Sequence, residues 1–153
     1  MIAAIDLGGT RTKFGLLENG NVMGASNCQA DAQGPLEAHL NEVLERLRVL
    51  CAEQGTTLDA CEGLGVLSTG LVNNREMRVI STNGKYDDAV GFDFLGWSRD
   101  QAGLELRMDN DARGALIGEW RYGAGRGADD VVMITIGTGI GTAVISEGKA
   151  LTG

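Results

Sequence analysis

Twice along this chain an apolar, strand-like run is cut short by glycine. Met1–Leu7 runs into Gly8-Gly9-Thr10, and Val131–Ile136 runs into Gly137-Thr138-Gly139-Ile140-Gly141. Glycine weakens a strand unless the chain must turn sharply or something must approach its backbone closely. Between the two turns, Asn110-Asp111-Ala112 places a carboxylate at the start of a predicted helix. Two backbone turns able to hold phosphate, with one acid between them, suit the movement of a phosphoryl group.

The intervening pattern predicts a layered α/β protein. Lys13–Leu17 and Val22–Ser26 are strands joined by Glu18-Asn19-Gly20-Asn21, a strong hairpin signal, so the chain opens as an antiparallel meander. Leu36, Leu40, Val43, Leu44, Leu47 and Leu50 recur at helical spacing, with Pro35 suited to the first turn and Gly55 just past the end. Gly63–Leu67 is apolar on both faces and reads as a central strand. Arg75–Ser81 suggests an edge hairpin after the Asn73-Asn74 turn, and Thr82–Phe92 a surface loop. A short helix is predicted over Phe94–Ala102, a strand over Leu104–Met108, and a helix over Asn110–Trp120 that Asp109 could cap. Val131–Ile136 reads as a buried-type strand with Thr142–Ser146 as its hairpin partner. Strands followed by alternating helix and strand give a mixed sheet flanked by helices. Residues 1–128 are expected to form one domain, and 129–153 the opening hairpin of a second.

At 153 residues the chain can bury one ordinary core. A net charge of −8 argues against a non-specific nucleic-acid surface, so an anionic substrate would need local donors. No apolar run is long enough to span a bilayer, and the N-terminus reads directly as a strand, so a cytoplasmic protein without membrane or nucleic-acid partners is expected. The three cysteines, Cys28, Cys51 and Cys61, are widely spaced and accompanied by one histidine, His39. That inventory predicts reduced, buried thiols and no zinc site within the chain. His39 reads as a residue on the flank of the first helix rather than as a catalytic base.

Glycines 8, 9, 137, 139 and 141 let backbone N–H groups reach phosphate oxygens, Thr10 and Thr138 add hydroxyls, and Lys13 or Arg11 could add charge. Asp6 ends a strand beside the first turn. A carboxylate there repels phosphate unless Mg²⁺ or its water shell lies between. Asp111 follows a strand, and the ends of strands are where α/β ligand sites form. An ionised carboxylate there can accept the proton of an attacking hydroxyl, and a lone Asn-Asp can equally be a cap. Asn110, Asn83, Ser68 and Thr69 are candidates for contacts to a polyol, each open to the alternative of ordinary loop polarity.

These segments resemble the ROK family of sugar kinases and repressors. Ile5–Lys13 is similar to its first phosphate motif, Gly63–Val72 to a sugar-side segment, Asn110–Glu119 to its catalytic segment, and Ile134–Gly141 to its second phosphate motif. The resemblance spans the chain in order. It implies an actin-like ATPase fold with a ribonuclease H-like core and ATP-dependent phosphorylation of a hexose or N-acetylhexosamine. Asp111 would be the general base, Asn110 and Asn83 would meet the sugar, and Gly8–Thr10 with Gly137–Gly141 would hold ATP, with Mg²⁺ near Asp6. Ser68-Thr69-Gly70 departs from the family's Pro-Gly, and Gly84–Gly91 lengthens a link that is short in the family. The family's zinc motif and most of its adenosine pocket would lie beyond Gly153, so the chain is expected to be the N-terminal portion of a longer kinase. The strand Val131–Ile136 would then present an exposed edge, which suggests a homodimer. A sugar-sensing regulator of the same family and a non-catalytic binding module are the alternatives. The strand starting at Ile2, with no helix-turn-helix before it, disfavours the first.

Overall fold

The computed structural model describes residues 1–137 and 139–152. By its contacts the chain divides into two compact units, Met1–Asp109 and Asn110–Gly153.

The first unit opens on strands β1 (Ile2–Leu7), β2 (Arg11–Glu18) and β3 (Asn21–Gln29), paired antiparallel in sequence order. Asn19 and Gly20 between β2 and β3 both take positive φ, 51° and 81°, the backbone twist that a tight hairpin needs. Strand β4 (Gly63–Ser68) lies parallel to β1, and β7 (Leu106–Asn110) completes a five-stranded sheet in the order β3-β2-β1-β4-β7. Register decides the faces. Ala3, Ile5 and Leu7 stand opposite Leu16, Phe14 and Thr12 on β2 and opposite Leu64, Val66 and Ser68 on β4, and all nine are buried. Helix α1 (Leu36–Glu53) covers that face with Leu36, Leu40, Val43, Leu44, Leu47 and Leu50, each fully buried leucine contributing roughly 1.5–3 kcal/mol. Ile2, Ala4 and Asp6 alternate onto the other face.

Strands β5 (Leu71–Asn73) and β6 (Arg78–Ser81) form a separate two-stranded ribbon. Asn73 closes its turn by accepting the N–H groups of Arg75 and Glu76 on its side-chain oxygen.

Three local expectations change. The segment Thr82–Phe92 is not a loose surface loop: Tyr86 and Ala89 are buried, the Tyr86 N–H donates to the Ala32 carbonyl at 2.8 Å, and Gln33 Nε2 donates to the Gly84 carbonyl at 2.7 Å. The Asp88 carboxylate accepts the Leu36 N–H at 2.7 Å, so this segment caps α1, whose own N-cap Pro35 offers no side-chain acceptor. The helix expected over Phe94–Ala102 winds as a single α-turn, α2 (Phe94–Trp97), followed by a wider π-type turn. Ser98 then occupies both polar groups of Leu104, at 3.5 Å from its N–H and 2.9 Å to its carbonyl, which delays β7 to Leu106.

In the second unit, helix α3 (Asp111–Tyr122) packs on a three-stranded sheet of β8 (Val131–Ile136), β9 (Ile140–Ser146) and β10 (Lys149–Ala150) in the order β10-β9-β8. Ala112, Leu116 and Trp120 meet Val131, Met133, Ala143 and Ile145. By these contacts α3 groups with the late strands, whereas its sequence alone placed it with the preceding domain and the boundary after residue 128. The cap of α3 is Asn110, one residue later than Asp109: its Oδ1 accepts the Arg113 N–H at 3.1 Å. Strand β8, expected to be of buried type, is only half-buried on one face and exposed on the other. Val132, Ile134, Ile136 and Ile140 stand on the other face at 69, 61, 85 and 78% exposure.

Candidate functional site

In the first unit the turn Gly8–Thr10 leaves the C-terminal end of β1, and Ser68-Thr69-Gly70 leaves the C-terminal end of its parallel neighbour β4. Leu7 and Ser68 are register partners, so the two turns emerge side by side. Carboxyl ends of adjacent parallel strands form the crevice in which α/β folds hold ligands. Gly8 is required by closeness: a Cβ there would lie 2.5 Å from the Arg11 carbonyl oxygen. Its N–H donates to the Asp6 carbonyl at 3.0 Å, closing the turn.

Asp6 and Lys13 are cross-strand partners, and the ammonium lies 3.3 Å from the carboxylate. Asp6 is partly covered and Lys13 extends into solvent. Mg²⁺ commonly keeps several waters and takes one or two carboxylates besides the substrate phosphates. A single carboxylate already in contact with an ammonium fits water-mediated coordination.

Behind the turn lies a buried polar chain that the sequence did not reveal. His39, read as a residue on the flank of α1, is buried at 3% exposure. Its Nε2 lies 2.7 Å from Thr12 Oγ1, and Thr12 Oγ1 lies 3.4 Å from the Tyr86 hydroxyl. Tyr86 in turn donates to the Gly8 carbonyl at 3.1 Å and stacks on His39 with ring centroids 6.0 Å apart. Burial lowers the proton affinity of His39 and raises the pKa of the Tyr86 phenol, so both rings are held neutral.

Ser68 is buried and donates to the Thr69 carbonyl at 3.2 Å. The Thr69 hydroxyl is buried and has no hydrogen-bond partner among the described residues. Buried hydroxyls are nearly always bonded, which makes this one an exception within the first unit. Asn83 is exposed on the neighbouring segment. Gly70 takes φ +87°, and a Cβ on it would lie 2.2 Å from the Ser81 carbonyl oxygen.

In the second unit the end of α3 meets the second glycine turn. A Cβ on Gly141 would lie 2.5 Å from Thr135 Oγ1 and 3.0 Å from the Ala112 side chain, so glycine at 141 lets the helix N-terminus close on the β8–β9 turn. Gly137 and Gly139 have open space where a side chain would be, although the Gly137 N–H donates to the Gly139 carbonyl at 3.0 Å. Thr138 lies outside the described residues. Beside this turn, Asp111 is half-buried. Its Oδ1 accepts from the Ala112 N–H at 2.8 Å and from Asn110 Nδ2 at 3.0 Å. Asn110 thus caps the helix with one side-chain atom and steers the carboxylate with the other.

The mixed five-stranded sheet flanked by helices matches the actin-like ATPase fold of ROK sugar kinases. The chain belongs to the ROK family, whose model matches residues 2–153. It is 30% identical to a beta-glucoside kinase of Listeria monocytogenes over 99% of its own length and 49% of the relative's. It is 28% identical to a glucokinase of Thermotoga maritima over 99% of its own length and 46% of that protein's. The ROK family glucokinase of Streptomyces griseus, solved with glucose and AMPPNP, superposes with a TM-score of 0.82 at 26% identity, over 99% of this chain and 46% of that one. The chain therefore spans about half the length of the relatives it matches.

Proposed function

We propose that the protein transfers the terminal phosphoryl group of ATP to a hydroxyl of a hexose or N-acetylhexosamine, with Asp111 as general base. One observation carries the assignment. Among the described residues, both hydrogen bonds of the Asp111 carboxylate converge on Oδ1, one from its own helix N-terminus and one from Asn110, which fixes the plane of the group and leaves Oδ2 to accept a proton. The sugar oxygen attacks the γ-phosphorus as its proton passes to Asp111. The bond from phosphorus to the β–γ bridging oxygen breaks, and ADP leaves. Positioning and charge neutralisation supply most of the acceleration.

Gly8, Gly9, Thr10 and Lys13 on the first turn, with Gly137, Thr138, Gly139 and Gly141 on the second, are the proposed phosphate contacts. Asp6 would hold Mg²⁺ through water, and the ion would supply neutralisation of phosphate charge. Ser68, Thr69, Asn83 and Asn110 are proposed on the sugar side, and the unpartnered Thr69 hydroxyl supports its membership of that set.

The test uses the protein at its full natural length, a panel of hexoses and N-acetylhexosamines, and Mg·ATP, with ADP release as readout. Wild type is expected to turn over at least one sugar, and Asp111→Asn, which keeps the Oδ1 acceptor, to lose about 10²–10⁴-fold in kcat. Phosphorylation of no sugar, or an Asp111→Asn variant as fast as wild type, overturns the assignment.

A further inference from the structure

The segment Gly84–Tyr86 does more than pack against the first turn. A Cβ placed on Gly9 would lie 2.6 Å from Cδ, Cε and Nζ of Lys85 alike, so the lysine stem and its ammonium lie flat against the backbone of the glycine turn. This placement is built from both sides. On one side Gln33 Nε2 holds the Gly84 carbonyl at 2.7 Å; on the other the Tyr86 N–H is bonded to Ala32 at 2.8 Å and its hydroxyl to Gly8 at 3.1 Å. Tyr86 sits in the left-handed region, φ 53°, a conformation unfavourable for a large side chain that the surrounding bonds hold in place. In a chain of net charge −8, an anion at the first turn depends on cations placed locally.

We propose that Lys85 is a phosphate-binding residue of the first glycine turn, its ammonium meeting the terminal phosphates of a nucleoside triphosphate above Gly9, with Tyr86 as the positioning residue that fixes the turn beneath it. This rests on the kinase assignment and adds to it a cation from the lengthened segment, 72 residues beyond Lys13 in the chain (85 − 13).

The test measures binding of a non-hydrolysable ATP analogue and of adenosine to the full-length protein, for wild type, Lys85→Met and Lys85→Arg, with thermal melts to verify folding. Lys85→Met is expected to weaken the analogue about 10- to 100-fold and leave adenosine binding unchanged, as loss of a charge-assisted contact to phosphate alone requires. Lys85→Arg is expected to stay within about threefold of wild type, since it keeps the charge. A well-folded Lys85→Met that binds the analogue as tightly as wild type, or that loses analogue and adenosine equally, overturns the proposal while leaving the kinase assignment standing. A wild type that binds no analogue overturns both.

Discussion

His39 shows how burial sets the behaviour of a single side chain. It touches Thr12 and Tyr86 inside the first unit, and burial outweighs the opposing pull of Glu42 and Asp31, so its pKa falls below the ordinary 6.5. The sign follows from linkage. Below pH 6.5 the unfolded chain takes up a proton that the folded chain refuses, so stability is fully present above 6.5 and is lost as pH falls toward the folded-state pKa. Urea unfolding between pH 7.5 and 5 is expected to show this decline, and His39→Gln to flatten it. The same chain of contacts reaches the Gly8 carbonyl through Thr12 and Tyr86. Asp111 and Asn110 make the complementary case. Their pairing was legible as an Asn-Asp step before a helix, but which of Asp109 and Asn110 would cap depended on where β7 ended. Cys51 is pushed up to about 11, by burial first and the neighbouring Cys61 second, which makes it a packing residue rather than a nucleophile.

At the level of elements, the glycines divide by what surrounds them. Gly70 and Gly84 both take positive φ, 87° and 82°, yet a Cβ on Gly70 would strike the Ser81 carbonyl at 2.2 Å while one on Gly84 would meet nothing within 4 Å. Gly84→Ala is therefore expected to cost only the left-handed backbone penalty, about 1–2 kcal/mol. Gly70→Ala must in addition part the β4 turn from β6, and is expected to exceed about 3 kcal/mol, read as a lowered urea midpoint at unchanged slope. The segment Thr82–Phe92 carries the main lesson at this scale. Its polarity suggested a solvent loop, but Asp88 caps a helix 52 positions away and Tyr86 bonds a turn 78 positions away. No local pattern announces pairings of that span. Periodicity did announce α1, the β1–β2–β3 meander and the β8–β9 hairpin, because those follow from residues a few positions apart.

For the molecule as a whole, the exposed side of β8 is the least settled surface. Val132, Ile134 and Ile136 stand in a row on an edge strand, with Ile140 beside them, so the backbone edge invites pairing with another strand and the apolar face invites packing. A second copy of the chain remains the proposed partner. The 153-residue chain is expected to sediment above monomer mass as concentration rises, and Val132→Lys with Ile134→Lys to return it to monomer; a clean monomer for the unaltered chain at high concentration counts against pairing. Among the described residues no helix is long and apolar enough to cross a membrane. The sequence by itself determined the elements that short-range chemistry dictates: alternation, helical spacing, Asn-Gly and glycine turns, and an aspartate at a helix start. Tertiary structure alone decided that His39 is buried, that the Thr69 hydroxyl has no described partner, that Lys85 lies on Gly9, and that α3 closes on Gly141. The physical reason is that burial and close approach are properties of surfaces brought together across the chain, and a local pattern carries no record of what will be laid against it.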